Sequence, residues 1–86
     1  MTPRKLTGNF VETDVDDETL IVDMDGGLLF SLSGTGLAVW QAIDGRRDSG
    51  AIAIRMAEAF SGELKTIASD VDALLGDFAR ARLVTL

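Results

Sequence analysis

The 86-residue chain contains no cysteine, no histidine and no tyrosine, and it has one proline and one tryptophan. Without cysteine it can form no disulfide framework, present no thiolate nucleophile and build no structural zinc site. Without histidine it has neither a serine–histidine triad nor an imidazole metal ligand. Carboxylates remain, but a chain this short buries only ~60–65% of its unfolded surface, which leaves few places to desolvate and tune an acid. The residue types therefore argue against an enzyme, and no catalytic, metal or cofactor residue is assigned. No run approaches 18 consecutive apolar residues, so no membrane span is expected. Arg4 and Lys5 near the start are followed by no apolar segment of signal-peptide type. The expectation is a cytoplasmic protein.

What is present is a globular composition, 47% hydrophobic and 26% charged, with a net charge of −6. One domain fits this length. The acidity argues against nucleic acid, because a phosphate-binding surface needs clustered lysine and arginine. Charge is also uneven. Residues 1–25 hold two bases and seven acids, and the remainder holds six bases and seven acids.

The hydrophobic period changes at nearly the same place, from two to about 3.6, which predicts three strands followed by three helices. Residues 1–8 are expected to be a flexible N-terminus, and residues 9–86 the folded domain. Asp25-Gly26-Gly27 is the strongest turn signal. A three-residue loop there would pair Met24 with Leu28, Val22 with Phe30 and Leu20 with Leu32. The turn at Asp16–Thr19 would pair Val15 with Leu20, Thr13 with Val22 and Val11 with Met24. That register gathers the apolar residues on one face and leaves Phe10, Glu12, Asp14, Ile21, Asp23, Leu29 and Ser31 on a wet face. After the third strand, Leu28–Leu32, a first helix capped by Ser33 or Thr35 carries Leu37, Trp40 and Ile43 on one stripe. The second helix, capped by Asp48 or Ser49, carries Ile52, Met56, Ala59 and Phe60. The third begins near residue 66 or 69 and carries Ile67, Val71, Leu74, Leu75 and Phe78. The apolar residues 83–86 are expected to fold back on the body.

Several motifs have plainer readings than the chemistry they suggest. Gly34-x-Gly36-x-x-Val39 lacks the last glycine of a dinucleotide fingerprint and serves better as a helix start. Asp48-Ser49-Gly50 has the look of a phosphopantetheine serine, but the strand-like first third does not fit a four-helix carrier. Asp14-x-Asp16-Asp17 and Asp23-x-Asp25-Gly26 have calcium-like spacing without the closing glutamate. Trp40 reads as a core anchor, and Arg46-Arg47 as a solvated loop pair.

The informative feature is an edge. The first strand is guarded by Glu12 and Asp14, whereas the third, Leu28-Leu29-Phe30-Ser31-Leu32, carries no charge. An uncharged apolar edge is an aggregation hazard unless something covers or uses it. The cover is either the third helix or a peptide that pairs as a fourth strand.

Leu32-Ser33-Gly34-Thr35-Gly36, Val39-Trp40, Asp44-Gly45-Arg46-Arg47 and Asp70-Val71-Asp72-Ala73-Leu74-Leu75, in this order, resemble the PqqD-like family over about residues 10–84. The family pattern is a Leu-Asn-x-x-Gly-like turn, an aliphatic-Trp pair, a small-residue loop and an Asp-Val-x-x-Leu-Leu helix. Ser33 stands where the asparagine is usual. The resemblance implies an α+β, winged-helix-like domain with a three-stranded antiparallel sheet followed by three helices. It implies non-catalytic binding of a precursor leader peptide in the cleft between the third strand and third helix, as a recognition element of ribosomally made, modified peptides. By position, Leu28, Leu29, Phe30, Ser31 and Leu32 would pair with the leader. Val71, Leu74, Leu75 and Phe78 would wall the groove, some of them also serving the core, and Asp70 and Asp77 at the helix margin would attract a basic leader residue. The partner enzyme would be a leader peptidase or a radical-SAM enzyme, and the motif pattern is closer to the lasso-peptide group. Two alternatives belong to other classes. A winged-helix DNA-binding regulator needs a basic recognition helix, and the third helix is neutral. An assembly subunit would dimerise through the edge of the third strand.

Overall fold

A computed structural model describes residues 1–86. Its elements are β1 (Arg4–Lys5), a 3-10 turn (Thr7–Asn9), β2 (Phe10–Val15), β3 (Glu18–Asp23), β4 (Leu29–Leu32), α1 (Gly34–Ala42), α2 (Ser49–Phe60), α3 (Leu64–Arg80) and β5 (Val84–Thr85). The fold is α+β: an antiparallel sheet in the order β2-β3-β4, followed by three helices, with β1 and β5 paired separately. The third predicted strand is β4.

Register departs from expectation in an instructive way. Asp16 takes a left-handed φ of 55°, which an aspartate tolerates, and makes a two-residue turn that pairs Val15 with Glu18 and Val11 with Val22. This shifts β2 on β3 by two residues from the expected pairing and leaves the facing of side chains unchanged. The next hairpin slips by one. Val22 pairs with Leu29 rather than Phe30, and Ile21 pairs with Phe30. Gly27, at φ 69°, closes this connection, donating its N–H to Asp23 O at 2.9 Å, while Asp23 N donates to Leu28 O at 2.8 Å.

A one-residue slip inverts a face. Phe30 and Leu32 still point toward the helices, but their β3 neighbours there are Thr19 and Ile21, both buried, rather than Leu20 and Val22. Phe10, expected on the wet face with Ile21, is buried too. Val11, Val15, Val22 and Met24, expected in the core, are exposed.

Trp40 explains the choice. It is 1% exposed and meets Phe10 and Phe78 edge-to-face, each at 5.3 Å between ring centroids. Its indole Nε1 donates to Glu12 Oε2 at 3.0 Å, and Lys5 Nζ lies 4.5 Å from the ring centroid. Edge-to-face aromatic pairs contribute about 0.5–1.5 kcal/mol each beyond area burial, and a buried indole N–H needs an acceptor. Only the face carrying Phe10 and Glu12 supplies both. Buried Thr19 is satisfied in turn by donating Oγ1–H to Asp14 Oδ1 at 2.7 Å.

The helices follow their end signals with small differences. Asp48 caps α2 by accepting from Ala51 N at 2.8 Å, and α2 stops where Ser61 turns left-handed at φ 53°. Ser33 occupies the N-cap of α1 without a side-chain cap bond, and Gly34 takes φ 55° where the strand turns into the helix. Helix α3 begins at Leu64, earlier than the expected start near residue 66 or 69, with Glu63 at the N-cap. Ala59 and Phe60 of the α2 stripe are exposed, while Ala53 is buried beside Ile52 and Met56.

Residues 1–8 are not a loose arm. Arg4 pairs with Thr85 and Lys5 with Val84, Leu6 N donates to Leu83 O at 2.9 Å, and Pro3 is buried. The apolar C-terminal residues do fold back, and β5 is the form they take.

Candidate functional site

The order β2-β3-β4 leaves β4 at an edge of the sheet. In an antiparallel ladder, residues that exchange hydrogen bonds with the neighbour alternate with residues whose N–H and C=O point away. The bond from Asp23 N to Leu28 O sets the phase. Phe30 and Leu32 therefore face β3 with their main chain, and Leu29 and Ser31 direct theirs to the open side. Leu28 and Leu29 are exposed by 60% and 62%, Ser31 is exposed, and Phe30 and Leu32 are half-buried against the core. No charged side chain lies on β4. All five β4-segment residues singled out from the sequence thus sit on one open edge, with alternate roles: Phe30 and Leu32 anchor it, and Leu29 and Ser31 offer it.

Beside this edge the helical layer is not closed. Helix α3 packs chiefly on α2 and to a lesser extent on β5, and its contact with β4 is marginal at most. A cavity of about 440 Å³ opens between α3 and the first turn of α1, immediately after β4 in the chain. Its apolar lining comes from Val39, Met56, Ile67, Val71, Ala73 and Leu74, with Thr35 and Gly36 at the α1 end. No residue of β4 lines the cavity itself, so the edge and the cavity are neighbouring features joined by the β4–α1 turn.

The structure apportions the four α3 residues expected to wall a groove. Val71 and Leu74 line the cavity, Val71 as its nearly buried floor. Leu75 is 0% exposed and Phe78, held against Trp40, is 5% exposed, so both belong to the core and not to a groove. Helical geometry accounts for this, because residues 71, 75 and 78 follow the stripe facing the core, and 67, 70, 74 and 77 lie to one side of it. Val39, Met56 and Ile67 were not singled out as site residues. Each had a signal of another kind: Ile67 shared the predicted α3 stripe with Val71 and Leu74, Met56 lay on the α2 stripe, and Val39 formed the aliphatic-Trp pair with Trp40.

Asp70 and Asp77 stand on the cavity rim. Asp77 is engaged by Arg80 one turn on, and Asp70 is exposed with no ion-pair partner. No lysine or arginine lines this cavity.

The other acidic motifs are absorbed by local structure. Asp44 Oδ1 accepts from Arg46 N and Arg47 N, each at 2.9 Å, and these bonds hold its carboxyl below the usual range. Asp23 Oδ1 accepts from Asp25 N at 2.9 Å inside the β3–β4 connection. No group of three or more potential ligands gathers to hold a metal. Partial burial holds the Lys5 ammonium below its ordinary value, partly offset by Glu12. No helix is long and apolar enough to cross a membrane.

Comparison with known proteins places these features in a family frame. The family model described as coenzyme PQQ synthesis protein D (PqqD) matches residues 18–84. A solved structure described as TbiB1 in complex with the TbiA(beta) leader peptide superimposes with a TM-score of 0.83, at 21% identity and covering 93% of each chain. That likeness is one of fold. No curated protein matches the sequence.

Proposed function

The chain belongs to the PqqD family, and from that premise we propose that it binds the leader segment of a ribosomally made precursor peptide and presents it to a modifying enzyme, without catalysing a reaction itself. The observation that carries this reading is the uncharged open edge of β4 beside an apolar cavity. A leader segment added as a fourth strand would bond to the outward N–H and C=O groups of Leu29 and Ser31. Each such bond contributes only about 1 kcal/mol net, so apolar leader side chains seated over Val71, Leu74 and Ile67 supply most of the affinity. The solved relative's leader-peptide complex supports the same choice of ligand class. Binding raises the effective concentration of the precursor at the enzyme. The motif pattern favours an enzyme of leader-peptidase type, in a lasso-peptide pathway, over a radical-SAM enzyme.

The DNA-binding reading has no support in the charge. Helix α3 carries Lys65 and Arg80 against Asp70, Asp72 and Asp77. Self-pairing through β4 would occupy the same edge and compete with the leader.

The test is fluorescence polarisation of a labelled leader peptide from the accompanying precursor, with Leu29→Pro as the probe. Because the Leu29 N–H points away from β3, proline there leaves the β3–β4 ladder intact and removes a donor from the open edge. Saturable binding that persists in high salt and is lost in the folded Leu29→Pro protein is the expected result. Unchanged affinity in that variant would overturn strand addition.

A further inference from the structure

Pairing of Val11 with Val22, and of Val22 with Leu29, puts three apolar side chains in one row across all three strands, on the face turned away from the helices. They are exposed by 53%, 40% and 62%, and Met24 (64%), two residues on from Val22, extends the patch at the β3–β4 connection. A contiguous apolar row exposed on a sheet face and rimmed by polar residues is the kind of surface that marks an interaction site. We propose that this outer sheet face, distinct from the leader-binding edge, is the docking surface for the enzyme that receives the leader, through an apolar surface rimmed by lysine and arginine. The inference rests on the leader-binding reading and adds where the enzyme sits.

Charge selects against a second copy as the occupant. The ends of the patch are acidic, with Asp16, Asp17 and Glu18 at the β2–β3 turn and Asp25 at the other. Arg82 lies 3.7 Å from Asp25, and Asp16, Asp17 and Glu18 are in no ion pair. Two copies of a chain of net charge −6 would bring acidic rims together. Size points the same way, since a stable interface takes roughly 20–30 residues a side and this patch is built on four apolar side chains. A heterologous partner can make up the difference, because the row ends on Leu29, whose main chain is the open edge. An enzyme seated on the face touches the strand that holds the peptide, so its contact area grows when the leader is in place. By linkage, enzyme and leader then strengthen each other's binding by the same factor.

The experiment measures two affinities on the same proteins, that for the labelled leader and that for the purified modifying enzyme encoded with the precursor. Wild type is compared with Val22→Thr, which keeps a β-branched side chain, and with Val11→Glu, which places a charge in the row. Val11 lies on the opposite edge strand and Val22 on the central strand, so neither contributes main chain to the open edge. The expected result is enzyme affinity reduced several-fold by Val22→Thr and at least tenfold by Val11→Glu, leader affinity within twofold of wild type, and enzyme affinity in wild type raised by leader. Enzyme affinity unchanged in both folded variants overturns the proposal while leaving the leader reading intact. Absence of leader binding in wild type overturns the leader reading instead. Sedimentation at low and high salt supplies the remaining outcome, since a concentration-dependent dimer dissolved by Val11→Glu would assign the face to a second copy and overturn the heterologous partner.

Discussion

The two faces of the β2-β3-β4 sheet are similarly apolar and have opposite fates. Phe10, Ile21 and Phe30 turn toward the helices, while Val11, Val22 and Leu29, paired in an equally regular row, stand in water. Counting aliphatic residues favours the second set, and the molecule buries the first. The difference teaches that a sheet face is chosen by what the opposing layer presents. Here that layer presents Trp40, whose ring needs aromatic edges and whose N–H needs an acceptor, and Phe10 and Glu12 answer both demands from one face. The face left over keeps its apolar character and becomes available for a partner.

The comparison can be broken most forcefully at the central pair of neighbours in β3. Ile21→Ala removes a fully buried side chain and is expected to destabilise the fold by about 2–5 kcal/mol. Val22→Ala, one residue on, is expected to cost about 1 kcal/mol or less. Urea unfolding of the two variants measures the contrast, and equal losses would mean that the two faces share the core.

The next effect concerns the acceptor that fixes the facing. Glu12→Ala leaves the Trp40 N–H buried without its partner, and a loss of about 1–3 kcal/mol is expected. Glu12→Gln keeps an acceptor oxygen and is expected to recover most of it. Thermal melts followed by the fluorescence of the single tryptophan report both.

A smaller effect separates edge from ladder. Leu29→Pro is expected to lower stability by about 1 kcal/mol or less, because the N–H it removes points away from β3. Phe30→Pro removes a ladder donor and is expected to be the more damaging of the two. Calorimetry of the pair sharpens the assignment of which β4 groups face outward.

The smallest effect lies far from the sheet. The Asp44 carboxyl is held below its ordinary value by the Arg47 and Arg46 N–H groups, so the folded state binds its proton less readily than the unfolded state. Its contribution to stability is present above the ordinary aspartate value of 3.8 and is lost as pH falls through the lowered folded value. Melting curves of wild type and Asp44→Ala are therefore expected to differ slightly near neutrality and to converge in acid. A gap that widened in acid would reverse the sign.

Much of this was legible in the chain. Two-residue alternation giving way to a period of 3.6 marks the strands and helices, Asp48 marks the start of α2, and the uncharged run at Leu28–Leu32 marks the open edge. The strands β1 and β5 were not legible, because two residues carry no period. Nor was the division of α3, where Val71 and Leu74 reach the cavity and Leu75 and Phe78 close the core.

Local order is what the sequence determined by itself: the kind of each main element, the absence of thiol and imidazole chemistry, and the one edge without charge. Those follow from short-range sterics, side-chain chemistry and charge, which depend on neighbours in the chain. Which face of the sheet is buried, and which α3 residues line the cavity, was decided only in the tertiary structure. Register can move by one residue at little local cost, whereas the aromatic contacts and single hydrogen bond of Trp40 join residues 10, 12, 40 and 78, and only the folded chain brings those together.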